Sequence, residues 1–256
     1  MNKLIVISTV VSSIVLAGCE STPEVKPRMA RFNSPEVNSQ PFHFNITAGS
    51  DSSNQIAINK NKKSERDNTL RFSAAMTLGK GFEARFVDNG ENQVSLKYQM
   101  LGAPLEQKKT GNLSLAGSLG YIWAKRSESP TKQYNDWSME QKSYDLSLIA
   151  GYRLNRQALL YGSVFYQNGD VDGEYYLFEH YDVEQNVTIN EGCGWNKTCV
   201  KSYFSDKGNA YGLSLALEYE LLTWLAVTGE VVHHRAEWFE RTNNETGAHF
   251  NVEFRF

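Results

Sequence analysis

The chain has 256 residues, of which 41% are hydrophobic, 12% aromatic and 21% charged, and its net charge is -3. That hydrophobic share excludes a disordered chain, and so small a charge excludes the electrostatic footprint of a general nucleic-acid binder. No stretch after Cys19 reaches eighteen consecutive apolar residues, so any crossing of a bilayer must be made by strands.

The chain opens on Lys3, an apolar run from Leu4 to Leu16, and then Leu16-Ala17-Gly18-Cys19. The run is too short for a spanning helix and suits a signal segment. It resembles a bacterial lipoprotein signal. The resemblance implies removal of residues 1–18, acylation of Cys19 with palmitate or a similar chain, and anchoring in outer-membrane lipid. Glu20 differs from the aspartate that retains such proteins at the inner membrane. The alternative is an ordinary signal peptide with an incidental cysteine, but no Ala-x-Ala cleavage site lies nearby. Residues 19–40 carry three prolines, several charges and almost no apolar periodicity, which predicts a flexible periplasmic tether ahead of a domain at 41–256.

From Phe42 onward apolar and polar residues alternate. Phe42, Phe44, Ile46 and Ala48 form one face. Leu70, Phe72, Ala74, Met76 and Leu78 oppose Arg71, Ser73 and Thr77, and Phe82, Ala84 and Phe86 oppose Glu83 and Arg85. Val94, Leu96, Tyr98 and Met100 oppose Lys97 and Gln99; Leu113, Leu115, Leu119, Tyr121 and Trp123 oppose small residues. Tyr144, Leu146, Leu148 and Tyr152 oppose Asp145 and Arg153, and a segment at 157–168 is apolar on both faces, which leaves its orientation open. Tyr211 to Tyr219 present leucines against Ser214, Glu218 and Glu220. Leu225, Val227 and Val231 oppose Glu230 and His234, and Phe250, Val252, Phe254 and Phe256 oppose Asn251, Glu253 and Arg255.

Ten segments with this period predict an all-β fold, a transmembrane antiparallel up-and-down barrel. The connections alternate in length. One end has 50–68, 88–92, 126–139, 168–209 and 239–247; the other has Gly79-Lys80-Gly81, 101–112, Asn155-Arg156 and Leu222-Thr223. Short inner turns and longer outer loops are the pattern of outer-membrane barrels. The short 88–92 and the longer 101–112 break it, and they keep an eight-strand count open.

The last residues, Gly247 to Phe256, resemble the closing strand of bacterial outer-membrane barrels, and Lys97-Tyr98-Gln99-Met100-Leu101-Gly102 with Gly111-Asn112-Leu113-Ser114-Leu115-Ala116-Gly117 resembles small OmpA-like barrels. The resemblance implies that Phe250, Phe254 and Phe256 belong to the signal read by the barrel insertion machinery. A lipocalin-like soluble barrel is the alternative fold; it would not need ten long outward apolar faces.

If the polar faces line the lumen, they place Arg71, Arg85, Lys97, Arg153 and Arg255 with Glu83, Asp145, Glu218, Glu220, Glu230 and Glu253 in one narrow tube. Isolated buried ions are costly, so a cross-linked interior is expected. The small residues Gly49, Ala75, Ala116, Gly120 and Gly212 leave room for a thin water path. The stretch from Gly169 to Gly208 reads as a long acidic outer loop with interleaved aromatics, either a ligand or partner surface with Asp170, Asp172, Tyr175, Tyr176 and Trp195 as candidate binding residues or a solvated acidic cap. Cys193 and Cys199 would close it with a disulfide worth about 2 kcal/mol. A zinc site would need two further ligands, and His180 is the only histidine nearby.

Asp170 and Asp172 at the top of the seventh strand, with His233-His234 towards the top of the ninth, invite comparison with omptin rim proteases, but no Asp-x-His unit occurs. No Gly-x-Ser-x-Gly, phosphate loop or His-Glu-x-x-His is present either. The expectation is a lipid-anchored, non-enzymatic outer-membrane barrel without metal or cofactor and without nucleic-acid partners, whose loops meet an extracellular ligand or surface. The alternatives are a narrow channel for small solutes and an omptin-like rim hydrolase.

Overall fold

The computed structural model describes residues 23–58, 66–128, 137–182, 187–192 and 200–256. Its strands in chain order begin with β1 (Glu24–Val25), β2 (Phe44–Asn54), β3 (Ile56–Ala57), β4 (Arg66–Gly79), β5 (Phe82–Asp88) and β6 (Asn92–Leu101). There follow β7 (Leu113–Glu128), β8 (Trp137–Arg153), β9 (Ala158–Asp182), β10 (Val187–Gly192), β11 (Val200–Leu222), β12 (Leu225–Trp238) and β13 (Arg241–Arg255). Ten of them form the wall, in the order β9-β11-β12-β13-β2-β4-β5-β6-β7-β8, and pairing of β8 with β9 closes the ring. Every wall pairing is antiparallel. The turn at 89–91 joins two full wall strands, β5 and β6, so the count is ten and not eight.

Two ends follow from the connections. The turn end carries Gly79-Lys80-Gly81, the short 3-10 helix Leu105–Gln107, the β8/β9 and β11/β12 turns, and Phe256. The hairpin end carries the other connections. Between them the outward face is apolar: Leu146 and Leu148 on β8, Val164 on β9, Leu213, Leu215 and Leu217 on β11. Aromatic rings border this band. Tyr121 packs against Trp123 and Tyr144 on the hairpin side, while Phe82 stacks on Tyr98 and Trp224 on Phe254 at the turn side. Tyr144 and Tyr152 lie eight residues apart on β8, about 26 Å along a strand and about 20 Å in height at a tilt near 40°, close to the apolar band of outer-membrane barrels.

Past the hairpin-side aromatics the polarity of the wall inverts. Glu140, Lys142, Asp170, Asp172, Lys207 and Arg235 now point outward, while Met139, Val171, Ala210, Ala236 and Trp238 point inward as one buried cluster. This accounts for two differences from the sequence expectations. The stretch 169–208 is mainly strand: β9 and β11 stay in register from Ala158↔Tyr219 to Leu177↔Val200. Apolar-outward alternation had marked the strands, and here the alternation continues with its sense reversed, because this part of the wall faces water. The expected loop 239–247 is likewise a two-residue turn, Phe239 and Glu240, with φ of 52° and 56°. Non-glycine residues in that left-handed region carry strain. Phe239 offsets it by donating its backbone N–H to Asp206 and packing edge-on to Phe204.

The lipid-facing assignment has a graded consequence. Leu148→Arg, at mid-band, is expected to destabilise the barrel by about 2–4 kcal/mol in urea unfolding from lipid vesicles, while Thr242→Arg, outward at the hairpin end, costs about 0–1 kcal/mol.

Candidate functional site

The lumen is occupied by the chain's own amino-terminal segment. The expected tether, as far as residues 23–37 are concerned, runs through the barrel from the hairpin end to the turn end, with Val25, Met29, Ala30, Phe32, Glu36 and Val37 almost fully buried. Proline suits this course. Pro23, Pro27 and Pro35 are buried and carry no backbone N–H, so a chain whose strand pairing is confined to Glu24 and Val25 has fewer donors to satisfy. The composition that reads as a solvated linker therefore also describes a strand-less insert.

At the hairpin end, Glu24 and Val25 pair with Ala57 and Ile56, and Val25 and Ile56 join the apolar cluster around Trp238. Arg126 donates to the Glu24 carbonyl at 3.0 Å and to the Glu91 carboxylate at 2.6 Å. Deeper in, the Ala30 N–H is held by Asp51 at 2.9 Å. The Arg31 guanidinium pairs with Asp145 and stacks on the Phe165 ring, 3.4 Å from its centroid. Glu230 accepts both the Arg31 and Phe32 N–H groups, at 2.8 and 3.1 Å. Phe32 takes a left-handed φ of 41°, and its carbonyl accepts from Arg85 at 2.7 Å. Lys97 donates to the Ser34 carbonyl at 2.9 Å.

Glu36 is the most completely satisfied contact. Its carboxylate receives Arg153 Nε at 2.9 Å, Arg153 Nη2 at 2.5 Å and Asn112 Nδ2 at 2.9 Å, with both charged side chains 1% exposed. Val37 then donates to Gln99 at 2.7 Å and accepts from the Leu105 N–H at 3.1 Å, and the chain leaves at the turn end beside Ser39 and Lys80. Gly151 leaves the passage wide enough for the segment: a Cβ there would sit 2.6 Å from Pro35 Cγ.

The lumen charge set named from the sequence, Arg71, Glu83, Arg85, Lys97, Asp145, Arg153, Glu218, Glu220, Glu230, Glu253 and Arg255, all lies on inward positions. Its members do not simply cross-link one another. Glu83 does bridge Arg85 and Lys97 at 3.0 Å each, and Arg255 reaches Glu218 at 2.7 Å and Glu253 at 2.6 Å. Arg153 and Asp145, in contrast, take their partners from the threaded segment, and Glu230 and Arg71 hold its backbone. The space expected from the small lumen residues is filled by this segment, and a cavity of about 20 Å³ remains beside it, lined by Arg28, Asn33, Gln93 and Ser163 among others. That is room for about one water molecule. Arg28, Arg31 and Glu36 are the residues the sequence reading passed over; three charges embedded between prolines and apolar residues, facing an equally charged lumen, were the available signal.

The segment also corrects the strand at 157–168. Leu159, Tyr161 and Phe165 face inward and Leu160, Val164 and Tyr166 outward. Both faces are apolar because the inner one packs on the insert, with Met29, Phe165 and Val232 forming one cluster.

At the hairpin end, Asp170, Asp172 and Tyr175 belong to β9, and Tyr176 pairs there with Lys201. Asp170 and Asp172 face solvent, Asp170 lying 3.8 Å from Lys207. His234 is buried on the inner face of β12, so the carboxylates and this histidine sit on opposite sides of the wall and are not brought together. A cleft of about 910 Å³ opens between β7, β8, β9 and β11, where Arg126, Met139, Asp172, Tyr203 and Phe204 line it. Tyr203 is 74% exposed, with the Lys201 ammonium 5.2 Å from its ring centre. Phe250, Phe254 and Phe256 point outward on the wall. Cys19, Cys193, Trp195 and Cys199 lie outside the described residues.

No family model matches the sequence. No curated protein matches it either. Among solved structures the chain is similar to Ail, the attachment invasion locus protein of Yersinia pestis, in complex with the heparin analogue sucrose octasulfate (TM-score 0.38) and without it (TM-score 0.37). In both cases identity is 10%, over 86% of this chain and 100% of that one. The closure of the barrel is carried by its own strand pairing, and a likeness at this level adds nothing about ligand or activity.

Breaking the Glu36 contact leaves a buried guanidinium without its ion. Glu36→Ala is expected to cost about 3–5 kcal/mol in urea unfolding, and the double change Glu36→Ala with Arg153→Met to recover most of it. The intact barrel is expected to pass no current in planar bilayers, and removal of residues 23–37 to give measurable single-channel conductance.

Proposed function

We propose that this protein is an outer-membrane β-barrel, lipid-anchored through Cys19, that serves as a surface binding or adhesion module. The observation that carries this reading is the inversion of polarity along the wall. An apolar band bordered by aromatics belongs in lipid, and a continuation with charges outside and an apolar core inside belongs in water. The β9/β11 hairpin, the β7/β8 strand ends and the cleft between them then form a rigid, water-facing platform. Its exposed Tyr203, Lys201, Asp172 and Glu174 offer stacking and paired charges to a partner, and rigid strands present such groups at low ordering cost. The filled lumen favours this reading over a solute channel. Among the described residues, Asp170 and Asp172 face solvent while His234 is buried on the inner face of the wall, which lends the rim-hydrolase reading no support.

Two measurements test the proposal. Phe254→Ser with Phe256→Ser is expected to reduce the heat-modifiable, membrane-inserted form severalfold, because the closing strand loses its lipid face; unchanged migration and outer-membrane yield would refute the membrane barrel. Deleting residues 176–201 removes the tip of the platform and spares Phe204 and the apolar cluster. The deleted protein is expected to remain heat-modifiable while adhesion of expressing cells to mammalian-cell monolayers falls to the level of cells lacking the protein. Equal adhesion by both proteins would remove the platform from the function.

A further inference from the structure

The direction in which the amino-terminal segment is threaded determines which side of the membrane holds the residues ahead of it. Among the described residues, Pro23 and Glu24 are bound to hairpin-end elements. The Pro23 carbonyl accepts the Ile58 N–H at 3.2 Å, Glu24 and Val25 pair with β3, and Arg126, near the hairpin-end terminus of β7, holds the Glu24 carbonyl while its other nitrogen binds Glu91 of the β5/β6 turn. The far end of the same segment is equally well located, since Glu36, Val37 and Ser39 are bound to Arg153, Leu105 and Lys80 at the turn end.

From this geometry we infer that the amino-terminal arm ahead of Pro23 emerges on the same side as the hairpins, so that an acyl group on Cys19 enters the outer leaflet and not the periplasmic one. The outer-leaflet part rests on the proposed orientation of the barrel. Chain length decides between the leaflets. Cys19 is five residues from Glu24, a reach of at most about 18 Å when fully extended. Glu24 is held beside Arg126, and from there to the level of Arg153 at the turn end the wall descends by about 14 residues of β8, from Met139, the partner of Arg126. At about 3.3 Å per residue and a tilt near 40° that is about 35 Å, twice the reach. A return through the lumen is closed because the segment itself fills it. In the other direction Arg126 lies five residues beyond Tyr121 on β7, about 13 Å in height, which brings the hairpin-side aromatic border within reach of Cys19.

The arrangement requires the wall to close around its own leader. The residues that grip the insert come from β2, β4, β5, β6, β8 and β12, while β13 and β2 meet over a short seam, Asn251↔Gly49 to Arg255↔Asn45. That seam is the last joint in an up-and-down barrel, so the segment can be laid into the curling sheet before the ring is complete.

Three single epitope insertions in the full chain test the inference on intact and permeabilised cells: between Ser21 and Thr22, within 131–134 between β7 and β8, and at Lys80 in the turn end. Each protein is first checked for the heat-modifiable barrel. Antibody is expected to label the first two on intact cells and the third only after permeabilisation, with at least a tenfold contrast. An amino-terminal tag that follows the Lys80 tag overturns the inference in either orientation. A hairpin tag that is shielded while the Lys80 tag is labelled overturns the outward orientation, and with it the outer-leaflet placement. A fourth protein carries a site-specific protease sequence between Ser21 and Thr22 and is labelled with radioactive palmitate. Protease added to intact cells is expected to separate nearly all the label from the barrel; label that stays attached until lysis refutes the surface placement. Absence of label from the untreated protein refutes acylation of Cys19 and leaves the tag result to decide the threading.

Discussion

Charges enclosed in a narrow tube must find partners, and the architecture of this barrel depends on where those partners come from. A ten-strand ring is slightly too wide for its own side chains to meet across the middle, and the inward Ala75, Ala116, Ser118, Ser147 and Gly151 widen it further. The amino-terminal segment fills that axis and supplies opposite charges at the required heights: Arg31 for Asp145, Glu36 for Arg153, and main-chain groups for Glu230, Arg85 and Lys97. An ion pair of this kind contributes little net stability compared with an apolar filling, but breaking it exposes an unpaired ion, so its main effect is to specify one position of the insert. The segment and the wall are mutually dependent.

The second constraint is the change of solvent along the wall. In the apolar band the exterior is lipid, and the outward leucines and aromatics need no further burial. Beyond Tyr121 and Tyr144 the exterior is water, and the same strands can continue only by turning their apolar residues inward. The resulting cluster of Val25, Ile56, Met139, Val171 and Trp238 closes the hairpin end with a water-soluble type of core. The platform above the band is thereby stiffened from within, and cross-strand pairs such as Lys201 with Glu174 decorate it outside. A surface built this way presents its side chains at fixed spacing, in contrast to a loop that would have to order on binding.

The insert links these two regions. Val25 is part of the cap cluster, and Glu36 lies eleven positions further along the same segment, at the opposite end of the tube. The left-handed turn at Phe32, held by Glu230 and Arg85, fixes the register between the two halves of the segment.

Much of this fold was legible in the residues alone. Strict period-two alternation in ten segments is enough to specify strands, their inward and outward faces and the membrane as the outer solvent, because only a lipid exterior tolerates rows such as Leu213, Leu215 and Leu217 on the exposed side. The inward charges were legible for the same reason. Three features were decided only in three dimensions. The alternation of 169–175 and 201–208 has the opposite sense, and its meaning depends on the height at which the strand leaves lipid. The close turn at Phe239-Glu240 carries no glycine or asparagine signal and exists because Asp206 and Phe204 hold it. The course of residues 23–37 is the clearest case: prolines, charges and scattered apolar residues without a period describe a free linker and an insert equally well. The choice between them is made by the complementary charges of a wall whose closure brings residues more than a hundred positions away to meet Arg31 and Glu36.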